Sequence, residues 1–292
     1  MKAIKTLCIV IALVLTAGIT GCQKEKTGVY NPKKKIQQIY CFETTPYQHW
    51  DWNNDQLSSI THYTDIDFKS ENWVEHFTYD DNRVSRVDNY TNSEYVTYDY
   101  DGDQLKTATM FYRNEIICSW KVSYENGKIN KLTGNIYDGF KKNAGQLTLD
   151  PLARLLPTEA CRQVTQKEQK MVAQRHTDET TTFVLLLTWN GEHIDKIVAT
   201  GDGEYMEMQL QYDDKHCPFY GFMGGLEDYY TNYLTGHTSF TKNNIIRMIY
   251  TEDSYSDTLY YAYQYDRDGY PILQTVYYAD DPDDKLVLCF EY

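Results

Sequence analysis

The chain has 292 residues, with 28 basic and 42 acidic side chains, a formal net charge of −14 and 28 tyrosines. So acidic a chain repels nucleic-acid backbones and offers them no basic groove, which excludes nucleic acid as a partner. Its length suits one all-β domain with a sizeable core, and tyrosine at this density suits half-buried strands, where the ring packs and the hydroxyl reaches water.

At the N-terminus, Lys2 and Lys5 precede the 11-residue apolar run from Leu7 to Ala17, and Gly18-Ile19-Thr20-Gly21-Cys22 follows. The run is well short of the ~20 residues a membrane-spanning helix needs, so it reads as a cleaved secretory signal. Ile19-Thr20-Gly21-Cys22 resembles a lipobox, the motif at which bacterial lipoproteins are acylated and cleaved. Residues 1–21 are therefore expected to be a lipoprotein signal peptide, with Cys22 carrying the lipid (palmitate) that joins the protein to a membrane. Gln23 after the cysteine is not the aspartate of inner-membrane retention, which points to the outer membrane, on its periplasmic or surface face. Cleavage removes two lysines and no acid and leaves a charge of −16. Residues 22–38, with Lys24, Lys26, Lys33, Lys34 and Lys35, read as a flexible basic tether, and residues 39–292 as a single all-β domain.

Within that domain, an aromatic residue followed by Asp, Asn or Glu recurs at Trp52, Tyr79, Tyr100, Tyr124, Trp189, Tyr212 and Tyr265. Two residues before each anchor stand Trp50, Phe77, Tyr98, Val122, Leu187, Leu210 and Tyr263; five after come Leu57, Val84, Leu105, Ile129, Ile194, Cys217 and Tyr270. Eight after come Ile60, Val87, Ala108, Leu132, Ile197, Tyr220 and Leu273, so all 21 places are apolar where the 41% composition would give about nine. Period-two alternation into a polar turn and out again is the signature of a β-hairpin. Turns are expected at Asp80–Arg83, Asp101–Gln104, Glu125–Lys128 and Asn190–His193. Because apolar residues fall at both +5 and +8, an odd spacing, each outgoing strand should hold an extra residue between them, a β-bulge that restores the buried face. The opposite face is polar, as in Glu75, Lys121, Ser123, Glu207, Gln209, Gln211 and Gln264, and a lipid-facing barrel would need it apolar.

The first four anchors, 27, 21 and 24 residues apart, suit consecutive hairpins of an antiparallel meander. A gap of 65 residues holds an irregular insertion near 144–178, with a possible short helix from Thr158 to Met171, and a later gap of 53 holds a loop with turns from Gly221 to Asn244. Five thiols remain after Cys8 leaves with the signal and Cys22 takes lipid: Cys41, Cys118, Cys161, Cys217 and Cys289. An odd number without Cys-x-x-Cys spacing is neither a disulfide framework nor a zinc site, and the pairing stays open.

Tyr79-Asp80-Asp81-Asn82-Arg83-Val84 and Tyr124-Glu125-Asn126-Gly127-Lys128-Ile129 look like YD-type repeats. Followed by Tyr212-Asp213-Asp214-Lys215-His216-Cys217-Pro218-Phe219, Thr241-Lys242-Asn243-Asn244 and Tyr265-Asp266-Arg267-Asp268-Gly269-Tyr270-Pro271, they resemble a Bacteroidetes lipoprotein family of unknown function. The resemblance covers most of residues 40–292 and implies a porin-like β fold; it brings no catalytic residues. The fold expected is all-β, an antiparallel meander of YD-like hairpins forming a strongly curved sheet or barrel-like domain.

No nucleophile elbow, metalloprotease helix, P-loop or dinucleotide-binding turn occurs in the chain, so no catalytic residue, cofactor or metal is expected. Asp99-Tyr100-Asp101-Gly102-Asp103 has the acidity of a calcium loop, but its glycine is fourth and Ala108, Thr109 and Met110 stand where such a loop closes, so it reads as a polar turn. The leading functional expectation is a non-enzymatic, lipid-anchored envelope module that binds a glycan or a protein partner. The alternatives are a structural or assembly lipoprotein of the outer membrane and an envelope hydrolase, which would need two carboxylates about 5 to 9.5 Å apart in a cleft.

Overall fold

A computed structural model describes residues 28–42, 44–63, 72–89, 93–137, 181–201, 204–222, 239–252, 255–283 and 285–292. Cys22, Cys161, the insertion at 144–178 and the helix considered within it lie outside the described residues. The strands run in order β1 (Gln38–Cys41), β2 (Thr45–Asn53), β3 (Gln56–His62), β4 (Trp73–Asp80), β5 (Arg83–Asn89), β6 (Glu94–Asp101), β7 (Gln104–Tyr112) and β8 (Glu115–Glu125). The second half comprises β9 (Lys128–Ile136), β10 (Thr181–Asn190), β11 (His193–Gly201), β12 (Glu204–Tyr212), β13 (Ile245–Glu252), β14 (Tyr255–Tyr265), β15 (Pro271–Tyr278) and β16 (Lys285–Glu291). Every strand pairs antiparallel with its sequence neighbours, and β1 pairs with β16, so the meander closes into a sixteen-stranded barrel.

The four expected turns sit where the sequence puts them: Asp80 pairs with Arg83, Asp101 with Gln104, Glu125 with Lys128 and Asn190 with His193. Two of them, at Asp81-Asn82 and Asn126-Gly127, have positive φ at both central residues, which is the type I′ twist that matches a strand pair. The expected bulges are present as well. Trp52 pairs with Leu57 but Asp51 with Ser59, leaving Ser58 as the extra residue, and the same slip follows Tyr79, Tyr100, Tyr124 and Trp189. Positions +5 and +8 consequently share a face, and Leu57, Ile60, Val84, Val87, Ile194 and Ile197 are all buried.

Two windows depart from the reading. After Tyr212 the chain does not turn back; Tyr212 pairs with Ile245, and residues 213–244 are inserted into what would be the turn. The outgoing strand is β13, with Ile246 as its bulge, while Cys217 and Tyr220, expected on that strand, belong to the insertion. The turn after Tyr265 is one residue longer, so Tyr263 faces Gln274; Gln274 is buried where Leu273 was expected, and Leu273 is half-buried.

A further anchor lies at the very end of the chain, and its outgoing strand comes from the other terminus. Gln38 pairs with Glu291 and Ile39 with Phe290, one and two residues before Tyr292, so Ile36, Gln37 and Ile39 take the +5, bulge and +8 places of an eighth hairpin. Ile36 and Ile39 are buried accordingly. This corrects the tether: the stretch expected to be flexible over 22–38 is packed from Gly28 onward. Tyr30 is buried and donates to the Pro218 carbonyl at 2.7 Å, and Lys34 pairs with Asp266 and Asp268.

The anchors explain why the aromatic residue must carry a polar tip. The indole of Trp52 donates to the Ile36 carbonyl, the phenols of Tyr79, Tyr100 and Tyr124 to those of Leu57, Val84 and Leu105, Trp189 to Ile129, Tyr212 to Ile194 and Tyr292 to Pro271, all at 2.6–3.0 Å. Each bond reaches from one hairpin to the carbonyl beside the previous hairpin's bulge, so the belt stitches hairpin to hairpin around one end of the barrel. At the remaining position Tyr263 bonds the Ile245 carbonyl instead, and Tyr265 turns to Asp213.

One apolar cluster draws side chains from all sixteen strands, and only the interior of a closed barrel allows that. Trp50 and Trp120 are its largest fully buried members. A circular barrel of this strand number leaves a water-filled channel; here Phe219 and Phe222 of the insertion pack against Trp50 at 6.0 and 5.1 Å between rings and fill the anchor end. Trp120 fits because its cross-strand partner is Gly134, where a Cβ would stand 2.6 Å from the indole. The outer wall carries polar residues, with Lys121, Gln209, Gln211 and Gln264 exposed, and among the described residues the exposed large hydrophobic side chains are Phe42, Ile116, Leu186, Tyr205, Ile246, Tyr255 and Ile272.

Candidate functional site

Two places in the barrel put chemistry-bearing side chains together. The first is inside, at the end opposite the anchor belt. Gln48, His62, Glu75, Asn89 and Glu94 face the lumen from five consecutive strands, β2 to β6, and all are at most 5% exposed. The sequence reading placed Glu75 on the polar outer face, but it is two residues before the inward Phe77 and follows its parity.

A fixed chain of donors orders this group. The Trp50 indole, which can only donate, bonds Gln48 Oε1 at 3.0 Å; this turns Gln48 Nε2 toward His62 Nδ1 at 3.3 Å. His62 Nδ1 must then accept, so the imidazole proton sits on Nε2 and points to Glu75 Oε2 at 3.1 Å. Trp73 lies flat on the His62 ring, with centroids 3.7 Å apart and planes 2° apart. Glu75 and Glu94 both pair with Asn89, which puts them two strands, or about 10 Å, apart. A hydrolytic pair needs water and substrate between its carboxylates. These two are sealed, and a structural role fits them better.

The second place is on the outer wall. Arg247, Tyr260 and Tyr277 lie directly opposite one another across β13, β14 and β15. The tyrosine rings stack, with centroids 5.6 Å and planes 25° apart, and the Arg247 guanidinium lies 5.8 Å from the Tyr260 ring centre. Gln211 is opposite Arg247 and Lys285 opposite Tyr277, so the stacked pair is flanked by hydrogen-bond donors. Half-buried rings leave part of their apolar surface within reach of a ligand, and donors beside them can take its hydroxyl or carboxylate oxygens. Nothing in the spacing of Arg247, Tyr260 and Tyr277 announces this row, because it depends on strand register.

The remaining candidates separate. Asp99 bonds the Thr107 hydroxyl at 2.9 Å on the wall, and Gly102 forms the turn. Cys41 faces inward with Leu288, whereas Cys289 faces outward with Tyr40, so these neighbours on adjoining strands lie on opposite faces. Burial pushes the Cys41 thiol up to about 11 and the Cys217 thiol up to about 12, which keeps both protonated at neutral pH. Asp213 closes the neck of the insertion: it accepts from the Lys215 and Asn244 backbone N–H groups at 3.0 Å and from the Tyr265 phenol.

No family model matches the chain, and no curated protein does. Among solved structures, it is similar to a porin-like protein from Bacteroides uniformis, with 11% identity and a TM-score of 0.49 over 89% of this chain and 98% of that one. It is also similar to a porin-like protein from Bacteroides vulgatus, with 10% identity and a TM-score of 0.36 over 89% and 99%. The lipoprotein family suggested by the motifs is not shown by any match; the barrel that the resemblance implied is present in the structure.

Proposed function

We propose that the protein is a non-enzymatic binding module of the bacterial cell envelope, held at the outer membrane by lipid on Cys22, whose outer wall takes a glycan on Tyr260 and Tyr277. The observation that carries the glycan reading is the stacked tyrosine pair beside Arg247. Two stacked rings in a wall of Gln, Thr and Lys offer an aromatic patch the size of a sugar ring, far less than the ~1,000 Å² a specific protein interface buries. Pyranose rings show an apolar C–H face that stacks on such rings, and their hydroxyls match the flanking donors. A carboxylate-bearing sugar gains an ion pair with Arg247.

The polar outer wall supports attachment by lipid rather than by insertion. A lysine such as Lys121 at a bilayer midplane would cost about 2–4 kcal/mol, and an integral barrel turns its apolar face outward. Metabolic labelling with a palmitate analogue is expected to mark the wild-type protein and not Cys22→Ser; equal labelling of both removes the anchor.

For the glycan, affinity electrophoresis through gels containing xylan, mannan, mixed-linkage β-glucan or pectic galacturonan is the direct test. At least one should retard the lipid-free protein, and Tyr260→Ala with Tyr277→Ala should weaken that retardation about tenfold, the loss expected of about 1.4 kcal/mol of stacking. Retardation that survives the double substitution places binding elsewhere and overturns the site.

A further inference from the structure

Gly28 is fixed at one point of the anchor end, beside β5 and β6. Its carbonyl accepts from the Val84 N–H at 3.1 Å, and a Cβ on it would overlap the hydroxyl of Tyr100, the belt tyrosine that bonds the Val84 carbonyl. A glycine fits there, at a φ of 80°. From this point the chain crosses the mouth, with Tyr30 reaching the Pro218 carbonyl and Lys34 reaching Asp266 and Asp268 after β14. Cys22 lies six positions before Gly28, and six residues span at most ~22 Å even when fully extended. The far end of the barrel is beyond that reach. Strand β8 has 11 residues, about 36 Å of strand, which at a tilt of ~40° puts the far end roughly 28 Å from the belt. The opposite side is out of reach too. Strand β14 is eight strands from β6 in the ring, about 38 Å around the wall, and Tyr30, Phe219 and Phe222 fill the mouth between them.

The geometry points to a membrane-contact surface and a fixed posture: the anchor end faces the lipid, tipped onto the β5–β9 wall, and the wall of Tyr260 and Tyr277 faces away. The inference rests on lipid attachment at Cys22. Charge agrees with the tether. From Arg83 to Tyr137, the span of β5 to β9, seven basic residues balance seven acidic ones, whereas from Ile245 to Tyr292, the span of β13 to β16, three basic residues stand against ten acidic. An anionic leaflet repels the second span and not the first. Lys106 and Lys121 are both exposed, and Lys121 is directly opposite Thr107, so two neighbouring ammonium groups on this wall are available to phosphate headgroups. The partner of the β5–β9 wall is thus the anionic lipid surface itself. The posture holds the stacked tyrosines clear of the bilayer, where a polymer too large to pass beneath the barrel can reach them.

The test places the acylated protein in vesicles of phosphatidylethanolamine and phosphatidylglycerol that carry a headgroup diazirine, and maps the photolabel by peptide. Label is expected in the turns at Asp81–Asn82 and Gly102–Asp103 and on β7 and β8 around Lys106 and Lys121. On β14 and β15 it should not rise above the level seen with Cys22→Ser, which carries no lipid. Lys106→Glu with Lys121→Glu changes two exposed side chains and leaves the core alone. It is expected to cut the label on β7 and β8 about tenfold or more, since each basic residue near an anionic surface strengthens attraction roughly fivefold, while the label in the turns persists. If β14 and β15 are labelled as strongly as β7 and β8 in a protein that incorporates palmitate, the posture is overturned and the anchor stands. Label on β7 and β8 that ignores the double substitution overturns the lysine wall as the contact surface. If the wild type incorporates no palmitate, the anchor falls and the posture falls with it.

Discussion

Replacing Trp50 by alanine is expected to destabilise the barrel by about 3–5 kcal/mol, a large share of the total stability of a domain. The indole fills the lumen at the anchor end against Tyr30, Phe219 and Phe222, and it is 1% exposed. Its removal opens a cavity bounded by two stretches of chain distant from its own strand, which limits collapse around it. Trp50→Phe separates packing from hydrogen bonding: the ring remains, but Gln48 Oε1 loses the donor that orients the His62 chain, at a cost of about 1–3 kcal/mol. Chemical denaturation with two probes, tryptophan fluorescence and far-ultraviolet circular dichroism, measures both. If Trp50→Ala shifts the midpoint no more than Trp50→Phe does, the lumen at that end is not a packed core.

The second large effect is expected in alkali. Burial holds the phenols of Tyr79, Tyr100, Tyr212 and Tyr292 well above the ordinary value of 10.0. A raised value means the folded state keeps these protons while the unfolded chain releases them, so stability is unaffected below about pH 10 and falls as pH rises beyond it. Each such phenol removes up to about 1.4 kcal/mol per pH unit above that point. Four together exhaust a typical domain's stability within about two units. Tyrosine ionisation followed by absorbance should therefore coincide with loss of the β signal in a single steep transition, and Tyr79→Phe should make it less steep. If the belt tyrosines ionise near pH 10 while the barrel stays folded, the anchors are not buried donors.

Much of this architecture is legible in the chain because each hairpin is specified locally. Leu57 and Ile60, or Val84 and Val87, can share a face only if a residue is inserted between them, so even the bulge can be read from spacing. What escapes is whatever depends on residues far apart. Tyr292 looks like a chain end, and its partner strand sits under Lys33, Lys34 and Lys35, whose charge suggests a solvated linker; no local pattern tells that Ile36 and Ile39 complete a hairpin begun at the other terminus. The window after Tyr212 misleads for a related reason. Cys217 and Tyr220 satisfy the spacing, yet Asp213 and Asn244 clamp a long insertion and hand the outgoing role to Ile245. The aromatic row on the outer wall is less legible still. Tyr260 meets Tyr277 only because the turn after Tyr265 is one residue longer and Ile272 bulges.

The pairing of β1 with β16 also fixes the order in which this protein can fold. Gln38 must wait for Glu291, the last residue but one, before the ring can close, and until then the sheet has two open edges. Pairing across nearly the whole chain is slow, because the closing contact is the least local one in the molecule. An open edge recruits other strands. During synthesis the growing sheet is thus exposed to mispairing and strand exchange, with β1 as the strand most easily taken by another copy. Substitutions that weaken β1–β16 should show themselves first as low yield and domain-swapped dimers rather than as a lower melting temperature.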